Sequence, residues 1–260
     1  MVGCTNRRYL SMDNGRMNYE TFAAFYNELM DEEYYDKWLE YTKQHIGNES
    51  KRILDLACGT GQLAVGLSKE GHHLVGLDLS EEMLSLAYNH ALEHGQTIQF
   101  IQGDMRELED VGSYQAVTCF SDSLCYMENE EEMYQVFSQV HSILEKDGLF
   151  LFDVHSLYKV NEIFPGYQYN YVSDEGAFTW TSFEGNSDNS VEHELTFFLP
   201  ESESDTYRRY DELHKERTYS IDTYRLLLEK AGFKDIEVKS QFGKEDVQEQ
   251  TERWFFSCRV

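Results

Sequence analysis

Five acidic residues stand where a sequence could do chemistry on a bound cation: Asp55, Asp78, Asp104, Asp122 and Asp153. Each closes or follows a short apolar run. The first opens Asp55-Leu-Ala-Cys-Gly59-Thr-Gly61. Two glycines between a predicted strand and a predicted helix let the backbone approach a ligand where a side chain would clash. Gly59-Thr-Gly61-Gln-Leu-Ala64 also satisfies the dinucleotide pattern G-x-G-x-x-A, a weak match by itself. Asp78 closes the next predicted strand, about where an acid reaches ribose hydroxyls. To this point a nicotinamide dinucleotide and S-adenosylmethionine (SAM) fit alike. Two features separate them. Asp55 lies ahead of the turn, where an acid can order the loop and face a cationic ligand; SAM carries an ammonium and a sulfonium but no pyrophosphate. Gly103-Asp104-Met105, after the third predicted strand, sets an acid and its backbone where they can read an adenine amine.

Groups able to move a proton lie near the later strand ends or in the region beyond them: Asp122, Tyr126, His155, His214 and Tyr219. For each, a surface or packing role is the plainer use, since function belongs to an assembled site. His155, just past the fifth predicted strand, and Tyr126 are the candidates to face a second substrate. His90-Ala-Leu-Glu93-His94 matches H-x-x-E-H of one zinc peptidase class. It closes a predicted helix, where histidines gain from the dipole, and no metal is expected there. The five cysteines, odd in number and without a Cys-x-x-Cys pair, suit reduced and mostly buried thiols.

The elements that must position these residues alternate. Arg52 to Leu56, His73 to Leu77, Thr97 to Gln102, Ala116 to Phe120 and Leu149 to Asp153 read as strands. Helical patterns separate them, one capped by Ser80 and another running from Glu130 to Leu144. Such alternation predicts an α/β, doubly wound, Rossmann-like sheet over about 51–155. Ahead of it, 17–50 reads as a helical lid with one helix from Met17 and a second over Glu32 to Ile46. Residues 1–16 carry no periodic pattern and read as a disordered tail. Residues 156–220 break the alternation: 177–183, 191–199 and 212–219 alternate apolar with polar residues, which predicts an inserted antiparallel β-cap. A helix over Ile221 to Ala231 and two last strands, 235–242 and 253–260, complete a seven-stranded sheet: five parallel strands and an antiparallel hairpin.

With 48 acidic against 22 basic residues, the formal charge is −26. That field repels phosphate backbones, so DNA is not expected as a partner, RNA is disfavoured, and amines are mildly favoured. Arg208-Arg209, Lys215 and Arg217 are expected to pair with the acids around them. No apolar run approaches the roughly 20 residues of a membrane span, and no signal-peptide stretch follows the first residues. A soluble cytoplasmic protein with no membrane partner is the expectation.

The motif order carries a resemblance. Ile53 to Gly61, Gly76 to Leu84, Gln102 to Met105 and Ala116 to Tyr126 resemble motifs I to IV of class I SAM-dependent methyltransferases. The likeness covers about residues 50–155 and implies SAM as cofactor. By that resemblance the turn from Asp55 through Ala57 to Gly59 and Gly61 holds the methionine end. Asp78 takes the ribose, Leu79 packs on the adenine, Asp104 and Met105 meet its edge, and the backbone near Phe120 faces the sulfonium. The lid and cap look like small-molecule methyltransferases that act on glycine or amino sugars, and closer still like uncharacterised bacterial enzymes of the YqeM type. In such proteins lid aromatics close over SAM, which makes Tyr19 and Trp38 candidates. The expected activity is methyl transfer by in-line displacement to a small or medium acceptor. An NAD-dependent oxidoreductase and a non-catalytic SAM-binding module stay as alternatives. Acceptor identity, its N, O or C nucleophile and the oligomeric state are not written in the sequence.

Overall fold

The computed structural model describes residues 32–201 and 206–260. The expected tail, the helix from Met17 and Tyr19 lie outside the described residues.

The first described helix, α1 (Glu32–Ile46), has the bounds its amphipathic pattern predicts and ends before Gly47, which takes a φ of 73°. Next come β1 (Arg52–Leu56), α2 (Gln62–Lys69), β2 (His73–Asp78), α3 (Glu81–Glu93), β3 (Gln99–Gln102) and β4 (Tyr114–Cys119). A short helical turn (Ser123–Tyr126) leads to α4 (Glu130–Ile143) and β5 (Leu144–His155). Caps fix the helix starts. The Ser80 hydroxyl accepts from the Met83 amide at 3.1 Å, and the Asn129 side chain accepts from the Glu132 amide at 3.0 Å, ahead of three glutamates in the first turn of α4.

A turn over Lys159–Ile163 then opens a second region of β6 (Gln168–Ser173), β7 (Gly176–Glu184), β8 (Ser190–Pro200) and β9 (Tyr207–Arg217). The chain closes with α5 (Ile221–Ala231), β10 (Lys234–Lys239) and β11 (Arg253–Arg259).

The main sheet runs β10-β11-β5-β4-β1-β2-β3. β1 to β5 are parallel, and β11 runs antiparallel between β5 and β10. The strand order reverses between β1 and β4, the point where open sheets of this type hold ligands. Residues of β5 alternate between two layers. Phe150 and Phe152 join Val136, Phe137 and Tyr224 on the α4–α5 side, whereas Leu149 and Leu151 join Tyr41, Ala64 and Leu67 on the α1–α2 side. Both faces are covered, which is why the central strands read as unbroken apolar runs.

Three sequence expectations change. β5 does not stop at Asp153: its pairing with β11 sets Arg253 opposite His155 and carries the strand to His155. The left-handed Gln241 and Phe242 (φ 48° and 55°) break the expected last strand pair early, so β10 ends at Lys239. The cap has four strands, order β6-β7-β8-β9. β6 was not predicted because its largely exposed residues give an edge strand no apolar rhythm. On one side of the cap, Phe178, Phe197 and Leu199 pack with Leu86 of α3; elsewhere Val191 and Trp180 pack with Val160 and Phe164. Among the described residues no helix is long and apolar enough to cross a membrane.

Candidate cofactor and acceptor site

At the end of β1, Asp55 pairs across to Thr118 of β4, whose hydroxyl donates to its carboxylate at 2.7 Å. Burial pushes the Asp55 carboxyl up to about 7; the Thr118 bond offsets part of that, and the charge of Asp78 adds to it. The chain then turns through three left-handed residues, Ala57, Gly59 and Gly61 (φ 54°, 52° and 75°). Ala57 pays for that conformation in strain, a feature that gathers at functional sites. A Cβ on Gly61 would meet that of Ala87 at 3.0 Å, a tight contact that adds to the strain of its left-handed φ and favours glycine there. A Cβ on Gly59 would meet nothing within 4 Å, so that turn borders open space. Gly61 begins α2 without a side-chain cap, which leaves the first-turn amides to a ligand.

Asp78 splints this turn. Its carboxylate accepts from the Gly59 amide at 2.8 Å and from the Ser80 amide at 3.0 Å. Each oxygen keeps a further lone pair for a hydroxyl donor. Beside it the Leu79 side chain is 69% exposed, while its carbonyl accepts from Gln102 at 3.1 Å. Asp104 is less free than its position suggests. Arg106 bonds both its oxygens, the shortest contact 2.6 Å, and holds the carboxyl below its ordinary range despite partial burial. The other end of Arg106 reaches Glu132 at 3.2 Å. Met105 packs partly against the core.

Past β4, Phe120 is buried and stacks on Trp38 (centroids 6.1 Å, planes 16° apart). The Trp38 indole donates to Asp153 at 2.7 Å, so this aromatic latches α1 to β5. Ser121 and Asp122 follow with φ of 58° and 53°, a strained turn that Asp153 fixes by accepting from the Asp122 amide at 2.9 Å.

Asp122 is the centre of a charged cluster assembled from far-apart segments. One oxygen meets Arg253 of β11 at 2.5 Å, and the other meets His155 Nε2 at 3.2 Å. Burial pushes the Asp122 carboxyl up, but His155 and Arg253 outweigh it and hold the group well below the carboxylate range. Arg253 also reaches Asp153 at 3.1 Å; burial dominates Asp153 and raises its carboxyl, against the guanidinium. The cap supplies Glu216, whose carboxylate lies 3.4 Å from His155 Nε2 and 3.7 Å from His193 Nε2. His155 and Arg253 line a cavity of about 300 Å³ together with Tyr34, Lys159, Gln241 and Phe242. A second cavity, about 240 Å³, lies away from the glycine turn and is lined by Lys51, Gln115 and Arg259 among others.

The remaining candidates fall outside this cluster. Tyr126 bonds His214 Nδ1 at 2.6 Å, and His214 Nε2 reaches Glu212 at 2.8 Å, which raises the imidazole above its usual value. Tyr219 is buried against Met127, and burial pushes its phenol up to about 12. The rings of His90 and His94 meet edge to face at 4.5 Å, with no third ligand-type residue grouped with them among the described residues. Arg208, Arg209 and Lys215 pair with Glu201, Asp211 and Glu192, and Arg217 bonds the Glu128 carbonyl. The sequence did not single out Arg253, Glu216 or His193. Glu216 sits in a mixed charge run that reads as a solvated face, and Arg253 opens a strand remote from its partners.

Residues 53–148 match the family model described as a methyltransferase domain. The chain is 44% identical over 247 residues to GWCH70_2453 of Geobacillus sp. (strain WCH70), covering 94% of this chain and all of the relative. It is 37% identical over 244 residues to YqeM of Bacillus subtilis, covering 94% and 97%. Both relatives are named as methyltransferases. Among solved structures, a SAM-dependent methyltransferase from Clostridium acetobutylicum superposes with a TM-score of 0.82 at 28% identity, over 93% of this chain and 98% of the other.

Proposed function

The chain belongs to the SAM-dependent methyltransferases, and from that premise we propose that its acceptor is a small amine held at the carboxylate cluster beyond β4 and β5. SAM is the cofactor and methyl transfer the activity; the dehydrogenase and the non-catalytic module fall away. The residues at the turn suit that cofactor: open space over Gly59, uncapped amides at α2 and an exposed Leu79 lie together. Asp55 with the Ala57–Gly61 turn holds the methionine end, Asp78 the ribose and Leu79 one adenine face. Met105 and the Asp104 backbone take the adenine edge, since the Asp104 carboxylate is spent on Arg106. Phe120 presents its backbone, and Trp38 acts through it as a positioning residue.

One observation carries the amine. Asp122 and Asp153 share a single guanidinium, that of Arg253, and Glu216 stands beyond them against the His155 and His193 imidazoles. A buried excess of negative charge is costly until a cation joins it, and an amine arrives at neutral pH as that cation. The cap closes over this point through Glu216. Bound SAM supplies a methyl group on a sulfonium, so the hard chemistry is the cofactor's. What the protein adds is alignment, exclusion of water and removal of one proton from the ammonium, so that its lone pair can attack. His155 takes that proton, between Asp122 and Glu216. Tyr126, half-exposed and bound to His214, is the second candidate.

The test is a metabolite screen scored by S-adenosylhomocysteine release, followed by His155→Ala on the acceptor found. Turnover should fall by about 10²- to 10⁴-fold, the usual worth of a general base, while SAM binding persists. Full turnover in the variant would remove His155 from the reaction. A screen that yields only hydroxyl or carbon acceptors would overturn the amine.

A further inference from the structure

We infer that Asp122, His155 and Glu216 also form a divalent-cation site, and that a metal bound there excludes the acceptor. The competition rests on the reading that this cluster receives the amine; the metal site itself does not. Three ligand atoms converge, Asp122 Oδ2, His155 Nε2 and Glu216 Oε2, all within 4.8 Å of one another. Two of the separations, 3.2 and 3.4 Å, already match the edges of a shell whose metal–ligand distances are about 2.0–2.2 Å.

The lone pairs are available. Arg253 occupies Asp122 Oδ1 and leaves Oδ2 facing the cluster. Glu216 is 6% exposed, yet its Oε2 accepts no hydrogen bond. His193 cannot be a fourth ligand through Nε2. Its Nδ1 accepts from the Trp180 indole at 3.1 Å, and an indole only donates, so the proton sits on Nε2. That N–H lies 3.7 Å from Glu216 Oε2, beyond hydrogen-bond reach, so it leaves the lone pairs of that oxygen to an ion.

Two carboxylates and one imidazole suit Zn²⁺ or Mn²⁺. The ligands come from the turn after β4, the end of β5 and the cap strand β9, so an ion would clamp the cap onto the core. Ammonium and metal would meet the same carboxylates, and only one can be held.

The probe is Zn²⁺, with Mn²⁺ in parallel, added to the full chain after chelator treatment. Metal content after gel filtration, the shift in Tm and SAM binding by calorimetry are read together. Wild-type protein should retain stoichiometric zinc and gain thermal stability. Glu216→Gln and, separately, Asp122→Asn should lose both while still binding SAM; His94→Ala should keep both. With the acceptor in hand, zinc should raise its apparent KM and leave kcat unchanged. No zinc uptake by folded wild-type protein, uptake intact in both cluster variants, or loss only in His94→Ala would overturn the site. Inhibition that added acceptor does not relieve would overturn the competition. A chain that takes up zinc but binds no SAM would sink the methyltransferase reading and leave the metal site standing.

Discussion

The two ends of the site are built on different principles. At the proposed cofactor end, all the residues but Trp38 and Phe120 fall between Asp55 and Met105 in one continuous stretch. The contacts are largely backbone: left-handed turns, amides given to Asp78, an uncapped helix start. At the acceptor end, Asp122, Asp153, His155, Glu216 and Arg253 come from four separate segments and are held by charge balance. The first end is therefore fixed by local geometry and tolerates a change of charge. The second is fixed by the sum of its charges, so losing its one guanidinium costs more than neutralising one of its carboxylates.

Removing Arg253 is the hardest blow to that contrast. Arg253→Met would leave Asp122 and Asp153 buried with their guanidinium gone. Breaking a buried pair in this way costs about 3–5 kcal/mol. Urea unfolding should show that loss, and Arg253→Met combined with Asp122→Asn should regain part of it. An unchanged unfolding free energy in the single variant would mean that the cluster is not charge-balanced at all.

Asp55 sharpens the contrast from the other side, because in the proposed site its cost is one that a bound cation would relieve. Its carboxyl titrates near 7 when folded and near 3.9 in an unfolded chain. Between those values the folded state holds a proton that the unfolded state has lost. Stability therefore falls as pH rises from about 4 to about 7, by on the order of 4 kcal/mol at about 1.4 kcal/mol per unit. Asp55→Asn should flatten that slope and be the more stable protein at pH 8. A cationic ligand prefers the ionised carboxylate, so SAM should bind more tightly as pH climbs through 7, by at most about tenfold per unit, with a proton released. Calorimetry in buffers of different ionisation enthalpy measures both. A SAM affinity flat across pH 6–8 would place the ligand's cation away from Asp55.

The same division explains what could be read from the sequence. The bounds of α1, β1 and α5 follow from apolar period and caps, which are local signals, and the residues of the glycine turn follow from spacing. Asp104 was placed correctly at its strand end, but its capture by Arg106 depends on side-chain geometry that spacing does not encode. β5 runs to His155 because β11 pairs with it from about a hundred residues away. Glu216 looks like one more acid in an acidic run; only the register of β9 against β8, which sets it opposite Val191 and beside the core, turns it inward. Charge balance between distant segments leaves no periodic mark, so Glu216 and Arg253 stayed hidden, although Asp122 and His155 could be named from their places near strand ends.

The smallest expected effect tests the cofactor end where it has no structural alibi. Leu79 is large, apolar and 69% exposed, with its carbonyl tied down by Gln102. Its side chain is thus displayed rather than packed. Leu79→Ala should leave the unfolding free energy within about 0.5 kcal/mol, as surface changes do. If the adenine lies on this side chain, SAM should lose on the order of 1 kcal/mol from the apolar area no longer covered, about a fivefold rise in Kd. The pH dependence set by Asp55 should remain, because the proposal sets the two residues at opposite ends of the ligand. Unchanged affinity would move the adenine off Leu79. A large loss of stability would mean that Leu79 belongs to the fold, and that geometry at this end does less for the ligand than the open turn implies.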